Sequence, residues 1–321
     1  MSHKSSLTLG PVYYLWAPEK WRDFYYAIAD ESPVKRVTIG ETICSKRLHF
    51  TEKMLDDVVE RLTAAGKEVV FSTLAMVTLE REVKEIRKVL ARENALIEVN
   101  DLSSIYLIGN RYYTVGPLIN VYNSPTARFL ANRGAKTICL PPELPFSSIK
   151  TIAKEVVNQV ELEVFAFGRV PLAISARCAH ARAKGHVKDN CRFVCGEETN
   201  GLPIKTLDGN DFLSLNGIQT MSYSCQALIH EIQDLIEAGI NRFRLSPHDC
   251  QMIEVTNIFQ QLIELKLSIE EATASLREFC GDMTLSNGFI AGLEGSKWIE
   301  RSSGNKQKTA SKMANNDGIR L

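Results

Sequence analysis

Short runs rich in β-branched and apolar residues alternate along the chain with stretches whose apolar positions recur every three or four residues. The runs fall at 7–12, 34–39, 68–74, 95–99, 112–121 (interrupted by Gly116 and Pro117), 135–140, 161–167 and 241–245, and each reads as a β-strand. Helical patterns lie between them. Residues 51–65 open at Thr51, a residue suited to capping, carry Met54, Leu55, Val58, Val59 and Leu62 at helical spacing, and stop at Gly66. Residues 78–92 repeat this logic with Val83, Ile86, Val89 and Leu90, and further helices are predicted at 124–132, 147–159 and 225–238.

Strands separated mainly by helices argue for parallel βα units, because a parallel pair needs a long crossover. A doubly wound sheet competes with this arrangement. Eight strands in 321 residues favour a single (β/α)8 TIM-like barrel over residues 1–300. One spacing does not fit a plain crossover. About 80 residues separate the seventh and eighth strands, which predicts an insertion at about 170–225 before the last strand. Within it, a turn at Asp208–Asn210 separates two short alternating runs across 202–221, the mark of a β-hairpin. After Trp298 periodicity and apolar content disappear, so residues 301–321 are expected to form a disordered tail.

Composition adds limits. Hydrophobic residues make up 45% and charged residues 24%, which suits a globular protein with a sizeable core. Basic and acidic residues balance at 38 each, so no overall field favours nucleic acid or an anionic membrane. The N-terminal stretch lacks a long apolar region and a small-residue cleavage site, and reads as mature sequence. No apolar run approaches the roughly 18 residues of a spanning helix, and a cytoplasmic location is expected.

In that compartment thiols stay reduced, which gives the eight cysteines more meaning. Cys178, Cys191 and Cys195 lie close together in the insertion, and thiolates are good ligands for soft metals. A fourth donor is needed for tetrahedral zinc or for a cuboidal iron–sulfur cluster. Cys44 is the strongest candidate. It follows the second strand, and the three-cysteine loop follows the seventh, so both sources face the carboxyl rim where barrel sites are built. Cys139, inside an apolar strand, and Cys225, Cys250 and Cys280 read as buried small hydrophobes, with Cys225 at the start of a helix. His180 and His186 leave a mixed Cys–His zinc site open. Arg177, Arg182, Lys184, Lys188 and Arg192 crowd the same segment, either as a solvated face or to offset cluster charge. There is no G-x-S-x-G elbow, H-E-x-x-H, P-loop or dinucleotide-binding glycine motif.

At ELEVFAFGRVPLAISARC (161–178) the chain resembles the collagenase-like peptidase family, family thirty-two of unknown catalytic type, whose members carry E-V-F-V-H-G-A-x-C-x-x-Y-S-G-x-C. Glu163, Val164, Phe165, Gly168, Ser175 and Cys178 match. Phe167 replaces the histidine, Pro171 the earlier cysteine, Ile174 the tyrosine and Ala176 the glycine. With GETICSKR (40–47) the likeness points to the ubiquinone-biosynthesis branch and spans roughly residues 7 to 298. It implies a 4Fe-4S cluster held by Cys44, Cys178, Cys191 and Cys195, the distant Cys44 standing in for the cysteine that Pro171 replaced. It also implies a heterodimer with a UbiU-like paralogue and a UbiT-like accessory protein of sterol-carrier type. Together these would support oxygen-independent hydroxylation of ubiquinone precursors, with prephenate as oxygen donor. Glu41, Arg47, Arg169 and Arg177 flank the motifs and are candidates for substrate or partner contacts. Two other readings compete: a prephenate-dependent RNA-hydroxylating member of the family, which the balanced charge disfavours, and a zinc-stabilised collagenase-like protease or scaffold.

Overall fold

The computed structural model describes residues 5–300, so the expected tail at 301–321 lies outside the described residues. Twelve strands are present among them: β1 (Ser6–Leu9), β2 (Arg36–Ile39), β3 (Glu68–Ser72), β4 (Leu96–Val99), β5 (Tyr113–Val115), β6 (Ala135–Leu140), β7 (Glu161–Ile174), β8 (Leu202–Lys205), β9 (Asp211–Asn216), β10 (Gln219–Ala227), β11 (Arg242–Leu245) and β12 (Leu285–Ser286). Strands β1 to β7 pair in parallel, each with its chain neighbour. Strand β11 closes the ring by pairing in parallel with both β7 and β1. The result is the expected eight-stranded (β/α)8 barrel.

Alternation along these strands sorts the side chains. Leu7, Leu9, Val37, Ile39, Ile97, Val99, Ile138, Leu140, Leu162, Val164, Phe243 and Leu245 join one core cluster between the barrel and the surrounding helices. The intervening positions, among them Thr8, Thr38, Ser72, Glu98, Thr114, Thr137, Glu163 and Arg244, are buried and polar. They meet inside the barrel, where Arg244 bonds Glu163 Oε1 at 2.5 Å and also reaches Glu98. A polar interior of this kind is held by pairing its charges, since an unpaired ion there is costly.

The helices are α1 (Pro18–Glu31), α2 (Leu48–Thr51), α3 (Leu55–Ala64), α4 (Glu80–Leu90), α5 (Leu102–Leu107), α6 (Ser124–Asn132), α7 (Phe146–Glu155), α8 (Ala179–Ala183), α9 (Ile232–Glu237), α10 (Met252–Ile263) and α11 (Ile269–Cys280). Several of their starts carry a side-chain cap. Asn123 accepts the Thr126 amide at 2.9 Å, and Ser268 and Glu271 form a reciprocal capping box at α11.

Three expectations need correction. The helix expected at 51–65 is broken by a tight turn at Glu52–Met54, and Thr51 makes no capping hydrogen bond. The strand expected at 112–121 shrinks to β5, because Gly116 and Pro117 end it. The helix expected at 225–238 shrinks to α9. Cys225 does not start a helix but lies in β10, where it pairs with Arg169. The hairpin expected at 202–221 is present as the antiparallel pair β8 and β9, and it belongs to a larger sheet in which β10 pairs with β9 and with the outer half of β7. That sheet carries the chain from the barrel rim into the cysteine-rich segment.

Candidate metal centre

Cys44 lies in the loop after β2. Gly40 turns the chain with φ +116°, and Glu41 then folds back so that its Oε1 accepts the amides of Ile43 (2.7 Å) and Cys44 (2.9 Å). Those bonds fix the backbone that carries the thiol. Cys178 lies just past β7 and caps α8, with its sulfur accepting the Ala181 amide at 3.3 Å. Cys191 and Cys195 flank a loop in which Arg192 (φ +50°) and Phe193 (φ +54°) are both left-handed. That conformation costs a non-glycine residue roughly 1–3 kcal/mol, and the surrounding structure must hold it in place. Phe193 is held by Phe50 and His49, with ring centroids at 5.0 and 5.4 Å.

The four thiols line one cavity of about 350 Å³, its open mouth included. Lys46, Arg47, Lys188, Phe193 and Gly217 complete most of the wall, and no carboxylate contributes. Among the described residues no three of His, Cys, Asp or Glu converge closely enough to hold a metal ion. What the four cysteines share is the wall of one cavity. Burial pushes the Cys44 thiol above its ordinary pKa, and Arg47 opposes that shift. Burial raises Cys178 likewise, opposed by the Ala181 amide. A bound metal would displace these protons, because thiolate is the ligand form.

Arg47 is the main cation of the site. It is buried, and its guanidinium donates to the Tyr13 carbonyl and to Asn216 Oδ1, both at 2.8 Å. Its Nε has no hydrogen-bond partner. Burial works against its charge, yet Cys195, Glu41 and Cys44 together hold its pKa above the ordinary value. Arg47 also lines a second cavity of about 300 Å³ at the barrel mouth, with Glu41, Tyr14, Trp16 and Trp21. One guanidinium thus separates the cysteine cavity from the mouth.

The other expected residues are dispersed. Arg177 is exposed beside Cys178. Arg169 is buried on β7, away from the thiols' cavity wall. His180 is fully buried, accepts the Gly217 amide at Nδ1 (3.4 Å) and faces Glu198 through Nε2 (3.1 Å), so both ring nitrogens are engaged. Lys188 lines the cavity, whereas Arg182 and Arg192 are exposed. Cys139, Cys225 and Cys280 are buried elsewhere. Phe193, Lys46 and Gly217 went unnoticed in the sequence. Gly217 was the available signal, since it opens the two-residue Gly217-Ile218 connection between β9 and β10, where a hairpin turn favours glycine first.

Two solved structures show a limited similarity to this chain. The U32 peptidase Mk0906 is 14% identical over 77% of this chain and 94% of its own, with a TM-score of 0.44. Phospho-2-dehydro-3-deoxyheptonate aldolase from Thermotoga maritima is 13% identical over 88% of this chain and 72% of its own, with a TM-score of 0.34. The model of Peptidase family U32 matches residues 16–299, nearly the whole of the described barrel and its cysteine-bearing sheet, and the chain therefore belongs to Peptidase family U32.

Proposed function

We propose that this chain is the iron–sulfur subunit of an oxygen-independent hydroxylase of ubiquinone biosynthesis, corresponding to the UbiV branch of the family. The observation that carries the proposal is the cavity ringed by Cys44, Cys178, Cys191 and Cys195 and by no carboxylate. A tetrahedral ion needs its donors at about 2.3 Å from one point. Thiols set around a cavity instead suit a cluster, which has a body of its own. Four thiolates on a cluster leave net negative charge, and Arg47, Lys46 and Lys188 supply the opposite sign on the same wall.

When bound, a 4Fe-4S cluster supplies one-electron transfer. The chain's own residues do the positioning. Glu41 orients the Cys44 backbone, Arg47 fixes the β9–β10 turn against the first barrel loop, and Phe193 holds the loop between the last two ligands. The mouth cavity behind Arg47, walled by Tyr14, Trp16 and Trp21, has the aromatic character that a quinone precursor's ring would need. Prephenate as oxygen donor, the UbiU-like paralogue and the UbiT-like accessory protein belong to this reading through the likeness at 40–47 and 161–178.

Anaerobic purification followed by visible absorbance and iron and sulfide analysis tests the cluster. Cys44→Ala is expected to lose most of the iron and Cys139→Ala little, since Cys139 is buried in β6. A colourless protein with one zinc would refute the cluster. Cells lacking the protein are expected to lose ubiquinone only when grown without oxygen. An unmodified RNA base with normal quinone would favour the RNA-hydroxylating alternative.

A further inference from the structure

Four arginines are buried among the described residues: Arg36, Arg47, Arg169 and Arg244. Three have an evident counter-charge. Arg244 meets Glu98 and Glu163, Arg36 meets Glu68 at 2.6 Å, and Arg47 faces the thiols and Glu41. Arg169 differs. It is only 7% exposed, its Nε and Nη1 have no hydrogen-bond partner, it forms no ion pair among the described residues, and the side chain that bonds it is the Cys225 thiol, which burial pushes up to about 12 and so keeps neutral. Burying a cation without a full set of partners opposes folding.

Its position is specific. Arg169 lies on β7 just beyond Gly168 (φ +124°), and its amide donates to His248 Nε2 at 2.9 Å. With Nε2 accepting, the ring proton of His248 is on Nδ1 and points to the Tyr14 hydroxyl at 3.0 Å. Arg169 lies on the outer part of β7, the seventh strand of the barrel ring, and His248 and Tyr14 follow β11 and β1, the eighth and first. Barrels of this architecture frequently bind phosphate at the loops after strands seven and eight. Tyr14 lines the mouth cavity, and the ring of Tyr223 lies 5.0 Å from the Arg169 guanidinium. His248 stays neutral, because burial and Arg169 depress its pKa to about 3, so it adds no second charge.

We propose that Arg169 anchors an oxyanion site at the barrel mouth, where its guanidinium binds the carboxylate or phosphate group of a small-molecule ligand while Tyr223 stacks on it. A planar guanidinium presents paired N–H groups that match either oxyanion. The proposal does not depend on the cluster, since Arg169 lies off the cysteine cavity's wall.

Thermal unfolding of the full chain in chloride buffer, titrated at constant ionic strength with malonate or with inorganic phosphate, tests this. At least one is expected to raise Tm saturably, and which one does so identifies the group recognised. Arg169→Met is expected to abolish that rise. In anion-free buffer it should unfold at or above the wild-type temperature, because an uncompensated charge has been removed. Arg169→Lys keeps the charge without the fork and is expected to weaken binding by about tenfold or more. Iron content should be unchanged in both variants. No saturable rise in the wild type, an equal rise in Arg169→Met, or loss of iron in the variants would each overturn the proposal. So would an Arg169→Met protein several degrees less stable without anion, since the arginine would then be structural.

Discussion

At Gly217 the backbone φ is +63°, and a Cβ there would lie 2.6 Å from Arg47 Nη2. Glycine is required twice over, by the turn and by the guanidinium laid against it. Gly217→Ala is therefore expected to destabilise the protein by about 1–3 kcal/mol, from left-handed strain plus displacement of Arg47. Arg47→Gln loses charge-assisted bonds to Tyr13 and Asn216 and should cost about 3 kcal/mol. If the cysteine cavity holds a cluster, both variants should also retain less iron than the wild type, because both move or remove the same cation. Denaturant unfolding and iron analysis on the same samples separate the two effects. Stable variants with normal iron would show that Arg47 does not support the site.

The loop between Cys191 and Cys195 makes a different case, in which neighbouring residues with the same backbone strain should respond in opposite ways. Arg192 is exposed, so Arg192→Gly relieves its left-handed strain and should be neutral or stabilising by up to about 1 kcal/mol. Phe193 has the same strain but packs on Phe50 and His49, and Phe193→Gly should destabilise by about 2 kcal/mol. Urea midpoints for the two variants decide this, and similar shifts would mean that the rings contribute nothing. The same contrast between local signal and tertiary packing governs what the sequence reveals. The eight barrel strands are legible because each is a short β-rich run bounded by breakers. The outer half of β7 is not, because Gly168 and Pro171 read as the end of a strand, whereas the pairing with β10 carries it on through a register irregularity at Pro171. Residues 225–238 misled for the opposite reason. Their apolar spacing suits a helix, but Cys225, Gln226 and Ala227 pair with β7, and cross-strand bonding overrides propensity there. Of the site, the shared rim of Cys44 and the cysteine triplet could be inferred from strand order. The burial of Arg47 could not, since it depends on the β9–β10 turn folding back over the β2 loop.

Across the whole molecule the polar barrel interior and its mouth predict how stability depends on pH. Burial opposes the charge of Glu163, but Arg244 and Arg36 outweigh it and hold that carboxyl below its ordinary pKa. Such a carboxylate stabilises the fold above its unfolded pKa and loses that contribution only as pH falls below the ordinary carboxylate range. His248 acts earlier. Its pKa falls from 6.5 in the unfolded chain to about 3 in the fold, so below about pH 6.5 the unfolded chain binds a proton that the folded chain does not. Its contribution is therefore complete above that pH and is lost as pH drops, by up to about 1.4 kcal/mol per unit. His180, also depressed by burial, adds to the slope in the same direction. Between about pH 6.5 and 5 the depressed histidines drive the fall, while burial raises the Glu41 carboxyl, which works in the opposite sense as it takes up its proton in the fold. Glutamine at position 248 can still accept the Arg169 amide that now bonds Nε2, but it cannot titrate. His248→Gln is thus expected to reduce the slope of unfolding free energy against pH by about one proton, leaving the contribution of His180. Urea unfolding at half-unit steps from pH 7 to 5 measures both slopes. Equal slopes in the variant and the wild type would mean that His248 takes up its proton in the folded state, and that the barrel mouth is more open to water than its packing implies.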